Sequence, residues 1–276
     1  MNASTDHLLA PIFQTEPRFV PSWSPNADPR VSHLPLMGGF HEPFIVISTY
    51  LLSIFVGQKL MASREAWNLK YVLIVYNFCL VLLSLYMSVE FVLAALDNDS
   101  SWYCEPVNYS TERAPTRMAV ICWLYYFSKS IELIETIFFV LRKKNSQVSF
   151  LHVFHHTSMV LVWWSVSRWI GGGITFFSAL INCIVHVVMY TYYFLSAFGP
   201  AAHPYLWWKK YITTFQLLQF VTLTLHDLYV WGADCGYPTV FAMSMAMYMI
   251  IFFALFNSFY QLAYRKAAPK EDKKAK

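Results

Sequence analysis

The chain has 276 residues; 57% are hydrophobic, 18% aromatic and 13% charged, with a formal net charge of +4 and a mean hydropathy of +0.41. Soluble domains carry roughly 25% charged residues, so this composition excludes a soluble globular enzyme, a disordered chain and a disulfide-rich secreted module. It points to an all-α protein that crosses a membrane several times, and its small positive charge, set in short blocks, is no nucleic-acid signature.

Residues 1–42 are polar and carry Pro11, Pro17, Pro21, Pro25, Pro29 and Pro35, a density that opposes regular helix. No basic stretch followed by an apolar one opens the chain, so no cleaved signal peptide is expected. Seven apolar runs follow, at 43–60, 69–96, 118–141, 149–167, 174–197, 211–231 and 239–264. Each approaches or exceeds the roughly 20 residues that span a bilayer core. A spanning backbone must satisfy its own hydrogen bonds, which makes these runs helices. They form one membrane unit over 43–264, without internal repeat, and 265–276 is a basic tail.

The basic residues orient the chain. Lys59, Arg64 and Lys70, then Arg142, Lys143 and Lys144, then Lys209 and Lys210, then the tail from Arg265 and Lys266 onward all fall on one side. The other side carries only Arg18, Arg30, Arg113, Arg117 and Arg168. The richer side is cytosolic, which places the N-terminus outside the cytosol and the C-terminus inside. Sequons at Asn2, Asn98 and Asn108 all fall on the non-cytosolic side. So do Cys104 and Cys235, which an oxidising compartment would allow to pair; two separate thiols are the alternative. The tail ends Lys273-Lys274-Ala275-Lys276, which reads either as a dilysine retrieval signal or as a solvated basic end.

Ionisable groups inside membrane helices are costly and point to function. His152, His155 and His156 stand at i, i+3 and i+4, on one helix face, with Gln147 just before them. Asn182 and His186 lie one turn apart on the next helix, and Tyr190 and Tyr193 continue near that face. That second set either lines a site or glues helices together. Lys129 and Glu132 either form a buried ion pair or orient a histidine, and Glu135 follows one turn later. Gln216 and Gln219 share a face of the sixth helix.

Four cavity histidines are too few for two iron ions; a single zinc stays open on ligand count. The metal-free alternative is acyl chemistry, with imidazole as base, acid or acyl-accepting nucleophile. No Gly-x-Ser-x-Gly elbow and no thiol beside the His box competes for that role. A metal-dependent desaturase or hydroxylase, and a non-enzymatic receptor or transporter, are the other classes.

These motifs, in this order, resemble the ELO family of very-long-chain fatty acid elongases. The resemblance rests on Lys129-x-x-Glu132-x-x-Glu135-Thr136, Gln147 through His156 with its His-Val-Phe-His-His box, Asn182-x-x-x-His186 through Tyr193, and Thr213-x-x-Gln216-x-x-Gln219. Glu135 stands where the family usually has Asp, and Cys183 where Ser is common. The resemblance implies seven membrane helices, the second to seventh forming a barrel around an acyl tunnel and the first peripheral, in the endoplasmic reticulum. It implies condensation of acyl-coenzyme A with malonyl-coenzyme A to 3-oxoacyl-coenzyme A, carbon dioxide and coenzyme A, on long, polyunsaturated chains. No cofactor or metal is implied. Joined to the reading of the residues, the resemblance gives a mechanism in which His155 takes the acyl group, His186 acts as base or stabilises the oxyanion with Asn182, and His152 and His156 orient the pair; the alternative has the His cluster act only as base, with no covalent step. Lys209, Lys210, Arg265 and Lys266 would meet coenzyme A. Partners would be the bilayer, the two substrates, other elongation-cycle enzymes and a second subunit.

Overall fold

The structure, a computed structural model, describes residues 27–265, and all regular structure among them is helical. The α-helices are α1 (His41–Ala62), α2 (Lys70–Asp97), α3 (Arg113–Glu132), α4 (Ile134–Leu141), α5 (Phe150–Trp169), α6 (Thr175–Ser196), α7 (Lys209–Gly232) and α8 (Thr239–Tyr260). Seven apolar runs become eight helices because the third is interrupted at Leu133. There Thr136 N donates to Leu133 O at 3.2 Å, an i→i+3 contact. Leu133 keeps helical angles (φ −58°, ψ −28°), so the axis tightens for one turn and continues. The buried carboxylates of Glu132 and Glu135 flank that turn.

By length and composition α1, α2, α6 and α8 with its π-helical extension (Thr239–Tyr264) can cross a membrane. The other long helices, α3, α5 and α7, are diluted by Lys129 and Glu132, by three histidines and by two glutamines with His226 and Asp227. Helix α2 shows why the protein belongs in lipid. Its inner face buries Leu80, Met87 and Phe91, yet its outer face exposes Val75, Leu82, Leu85 and Val89. A helix in water would keep that outer face polar. Ser84, Ser88, Ala94 and Ala95 are buried on α2, small residues that let neighbouring backbones approach.

Helix α2 packs on α3 and α6, α3 on α5, α6 on α7, and α7 on α8. Helix α5 meets α8 through Ser158 Oγ and Tyr248 OH, 2.9 Å apart. Helix α1 packs mainly on α4 and α5.

One end of the bundle is tied by a disulfide between Cys104 and Cys235 (Cα–Cα 5.1 Å) and by the segment that precedes α1. Arg30, almost fully buried, donates to Asp28 Oδ2 (2.5 Å) and to the carbonyls of Asn108 (2.5 Å) and Gly171 (3.3 Å). Asp28 N in turn donates to Arg168 O at 2.8 Å. Burial pushes the nearby Tyr109 phenol up to about 12; the Asp28 carboxylate adds to the rise and Arg30 opposes it. The disulfide closes a separation of 131 residues. Replacing both cysteines by Ser is therefore expected to cost about 2–5 kcal/mol of stability, read as a lower thermal midpoint in detergent.

At the other end Lys143 Nζ donates to the carbonyls of Ala62 (3.3 Å) and Arg64 (2.9 Å), and Trp67 N donates to Leu141 O (3.0 Å). These contacts fix the α1–α2 loop against the C-terminal end of α4.

Candidate active site

Ser149 caps α5. Its backbone is extended (φ −84°, ψ 163°) and its Oγ accepts from His152 N at 3.2 Å. The His box therefore occupies the first two turns of α5, at the end bearing Arg142 to Lys144. The His152 and His156 ring centroids are 4.3 Å apart, and those of His155 and His156 are 5.5 Å apart. His152 Nε2 is hydrogen-bonded to Thr136 Oγ1 at 2.7 Å. His156 Nε2 lies 3.8 Å from Glu135 Oε2, beyond hydrogen-bond reach. His155 sits edge-on to Phe252 (5.2 Å between centroids), and neither of its ring nitrogens has a hydrogen-bond partner among the described residues.

A second group faces it from α3 and α6. Lys129 and Glu132 are both 2% exposed, so their charges must be matched. Lys129 Nζ donates to Glu132 Oε1 at 2.8 Å and to Asn182 Oδ1 at 3.3 Å, and lies 4.3 Å from the centre of the Tyr125 ring. With His186 Nδ1 it has three lone-pair acceptors for its three protons. His186 Nδ1 is 3.3 Å from Glu132 Oε1 and 3.4 Å from Lys129 Nζ. The contact with Lys129 is a hydrogen bond, and an ammonium can only donate, so Nδ1 accepts and the neutral ring keeps its proton on Nε2, the nitrogen left for the cavity. Tyr125 OH also donates to Asn182 Oδ1, at 2.6 Å. Both lone pairs of that oxygen are used, which fixes the amide orientation and leaves its NH2 group to donate elsewhere.

The two groups line one cavity of about 480 Å³, within the usual range of about 300–1,000 Å³ for small-molecule sites. His152, His155, His156, Asn182, His186, Glu132 and Glu135 all contribute to its wall. So do Gln147, Tyr190, Tyr193, Gln216, Gln219 and, at the rim, Lys209. Gln219 Oε1 is buried there without a partner, an acceptor awaiting a donor. Lys129 does not line the cavity; it stands behind Glu132 and Asn182 and holds them. Lys210 is exposed, its ammonium 4.9 Å from the centre of the Tyr211 ring, because adjacent residues on a helix point about 100° apart. Arg265 ends the π-helical turn Gln261–Arg265, and Lys266 and the dilysine tail lie outside the described residues.

Sequence reasoning missed Tyr125 and Ser149. Tyr125 lies one turn before Lys129, and Ser149 is the N-cap type three residues before a histidine. Among the described residues, Glu135, His152 and His156 bring ligand atoms within 4.8 Å of one another, a donor set suited to one divalent ion. The sequons differ in setting. Asn98 Nδ2 donates to Ala94 O (2.7 Å) and Ala114 O (2.8 Å), so a glycan there would remove a donor from that pair. Asn108 is exposed, with Oδ1 accepting from Ser110 N at 2.9 Å, and Asn2 lies outside the described residues.

Residues 35–272 match the ELO family, described as GNS1/SUR4. Very long chain fatty acid elongase 7 of Rattus norvegicus is 48% identical over 252 residues, covering 90% of each chain. Very long chain fatty acid elongase 1 of Homo sapiens is 45% identical, covering 87% of this chain and 88% of its own. Very long chain fatty acid elongase 4 of Homo sapiens is 41% identical, covering 92% of this chain and 80% of its own. A match that spans most of the sequence and all the cavity histidines leaves one conclusion: the chain is a member of the ELO (GNS1/SUR4) family.

Proposed function

We propose that this protein is the condensing enzyme of very-long-chain fatty acid elongation. It joins acyl-coenzyme A to malonyl-coenzyme A and releases 3-oxoacyl-coenzyme A, carbon dioxide and coenzyme A. The observation that carries the reading is the pairing, in one cavity, of an unengaged imidazole (His155) with an oriented one (His186). The names of its relatives agree with it.

A His155 ring nitrogen attacks the thioester carbon, and coenzyme A leaves as the thiol, carrying away the imidazole proton. The product is an acyl-imidazole, which remains reactive enough for a second transfer. Malonyl-coenzyme A then loses carbon dioxide. The electron pair of the broken C–C bond becomes an enolate, which attacks the acyl carbon and expels His155. The Asn182 NH2 group and His186 Nε2–H donate to the oxygen that becomes negative, and the expelled His155 imidazolate takes up from water the one proton that the overall reaction consumes. Lys209 at the rim meets a phosphate of coenzyme A.

In the same reading, helices α2 to α8, with α3 and α4 as one span, form a barrel of six crossings around the cavity, and α1 is a seventh crossing outside it. The Lys-rich end faces the cytosol and the disulfide end the lumen of the endoplasmic reticulum, with the N-terminus lumenal and the C-terminus cytosolic. The substrates are long polyunsaturated acyl chains, and the cycle's other enzymes or a second subunit sit alongside.

The second reading that an observation favours is a metal site at Glu135, His152 and His156. Purified protein with EDTA, a panel of acyl-coenzyme A substrates and labelled malonyl-coenzyme A separates the two. Expected is 3-oxoacyl-coenzyme A by mass with chelator present, with its yield ranking the chain lengths. Activity lost to EDTA and restored by zinc would favour the metal reading. No product from any chain length with folded protein would overturn elongation.

A further inference from the structure

Tyr50 stands outside the cavity, on the helix that packs against α4 and α5. Its hydroxyl is 2.8 Å from Thr136 Oγ1, and that oxygen is 2.7 Å from His152 Nε2. Three helices, α1, α4 and α5, are thereby joined by two consecutive hydrogen bonds that end on the His box. Tyr50 is 4% exposed and Thr136 fully buried, so water does not substitute for either contact.

Counting protons fixes the direction. Tyr50 OH has one proton, and Thr136 Oγ1 is its sole acceptor among the described residues. Were the chain to run from His152 outward, His152 would donate to Thr136 and Thr136 to Tyr50. The buried phenol proton would then have no acceptor, a costly arrangement. Run the other way, both hydroxyl protons have an acceptor: Tyr50 donates to Thr136, and Thr136 donates to His152 Nε2. His152 is then held as the tautomer with its proton on Nδ1, and its ring is fixed one helical turn before His156, whose ring it touches.

We propose that Tyr50 is a positioning residue of the active site, acting from the outer helix through Thr136 to set the tautomer and orientation of His152. This gives α1 a part in the chemistry beyond anchorage. The kinetic consequence rests on the elongase reading above; the tautomer does not.

The test therefore has two arms. In the first, protein labelled with ¹⁵N-histidine is compared by NMR with Tyr50→Phe, which removes one oxygen and keeps the ring. The His152 signal is identified by its loss in His152→Gln. Expected in the parent protein is an unprotonated Nε2 and a protonated Nδ1; expected in Tyr50→Phe is a mixture of tautomers. A single, unchanged tautomer in Tyr50→Phe, or an Nε2–H in the parent, would overturn the relay.

In the second arm, Tyr50→Phe is expected to lower kcat by roughly tenfold, as loss of an orienting partner does, with KM for both substrates unchanged. Thr136→Val should reproduce the loss, Thr136→Ser should lose less because the hydroxyl survives, and Tyr50→Phe/Thr136→Val should be no worse than Thr136→Val alone. Losses that multiply in the double variant, or a KM change without a kcat change, would overturn the proposal. Absence of elongase activity in every protein, parent included, would overturn the elongase reading and leave the first arm to decide the relay.

Discussion

Exchanging His155 for Gln is expected to abolish the acyl-enzyme and to lower condensation by at least about a thousandfold, since removal of a catalytic nucleophile or base costs that or more. The fold should tolerate the change. The ring packs against Phe252 and Phe256 on the cavity wall and has no hydrogen bond to lose among the described residues. Intact mass after incubation with acyl-coenzyme A alone reads the adduct directly. The parent protein should gain the acyl mass; His155→Gln should not. The companion variant His186→Gln should still acylate but fail to turn over, because His186 Nε2 is assigned to the second half of the reaction. An adduct that survives in His155→Gln would move the nucleophile to another residue. A parent protein that condenses without ever carrying the acyl mass would make His155 a base only, and the two substrates would then react directly in the cavity.

The sequence carries this site further than it carries the contacts behind it. Three histidines at i, i+3 and i+4 share a face on any helix, so their convergence follows from spacing alone, as does the pairing of Asn182 with His186. The positions of the apolar runs are legible for a similar reason: span length and backbone satisfaction leave few options. The interruption at Leu133 is not, because Leu is an ordinary helix residue and its angles remain helical. Nor is the separation of Lys209 from Lys210, since one sequence block says nothing about which neighbour turns inward. Contacts across long stretches of chain are the least accessible. Tyr50 meets Thr136 across 86 residues and Tyr125 meets Asn182 across 57. With 18 tyrosines in the chain, periodicity gives no reason to choose these two. Lys129 is legible as an ion-pair partner of Glu132, but its place behind the cavity wall depends on how α3 turns toward α6.

The Lys129–Glu132 pair offers the sharper separation of stability from catalysis. Glu132→Ala is expected to destabilise the protein by about 3–5 kcal/mol, because it leaves the buried Lys129 ammonium without its counter-charge. Against a total stability of about 5–15 kcal/mol, that loss should appear as poor yield and a lower thermal midpoint in detergent, together with loss of activity. Alone, this result would not distinguish a scaffold from a catalytic orienter. Lys129→Met/Glu132→Leu does distinguish them. Removing both charges and filling the space with apolar side chains should restore most of the thermal midpoint, since a buried ion pair is often replaceable in this way. His186 Nδ1 would still lack its donor, the Lys129 ammonium 3.4 Å away in the parent protein, and its Nε2 would no longer be held as the protonated nitrogen. The double variant is therefore expected to be stable yet slower in condensation by about 10- to 100-fold, while the acyl adduct on His155 still forms. A stable double variant with full activity would reduce the pair to packing and remove Glu132 from the mechanism. A stable variant that no longer acylates would place the Lys129–His186 contact in the first half-reaction, upstream of malonyl-coenzyme A.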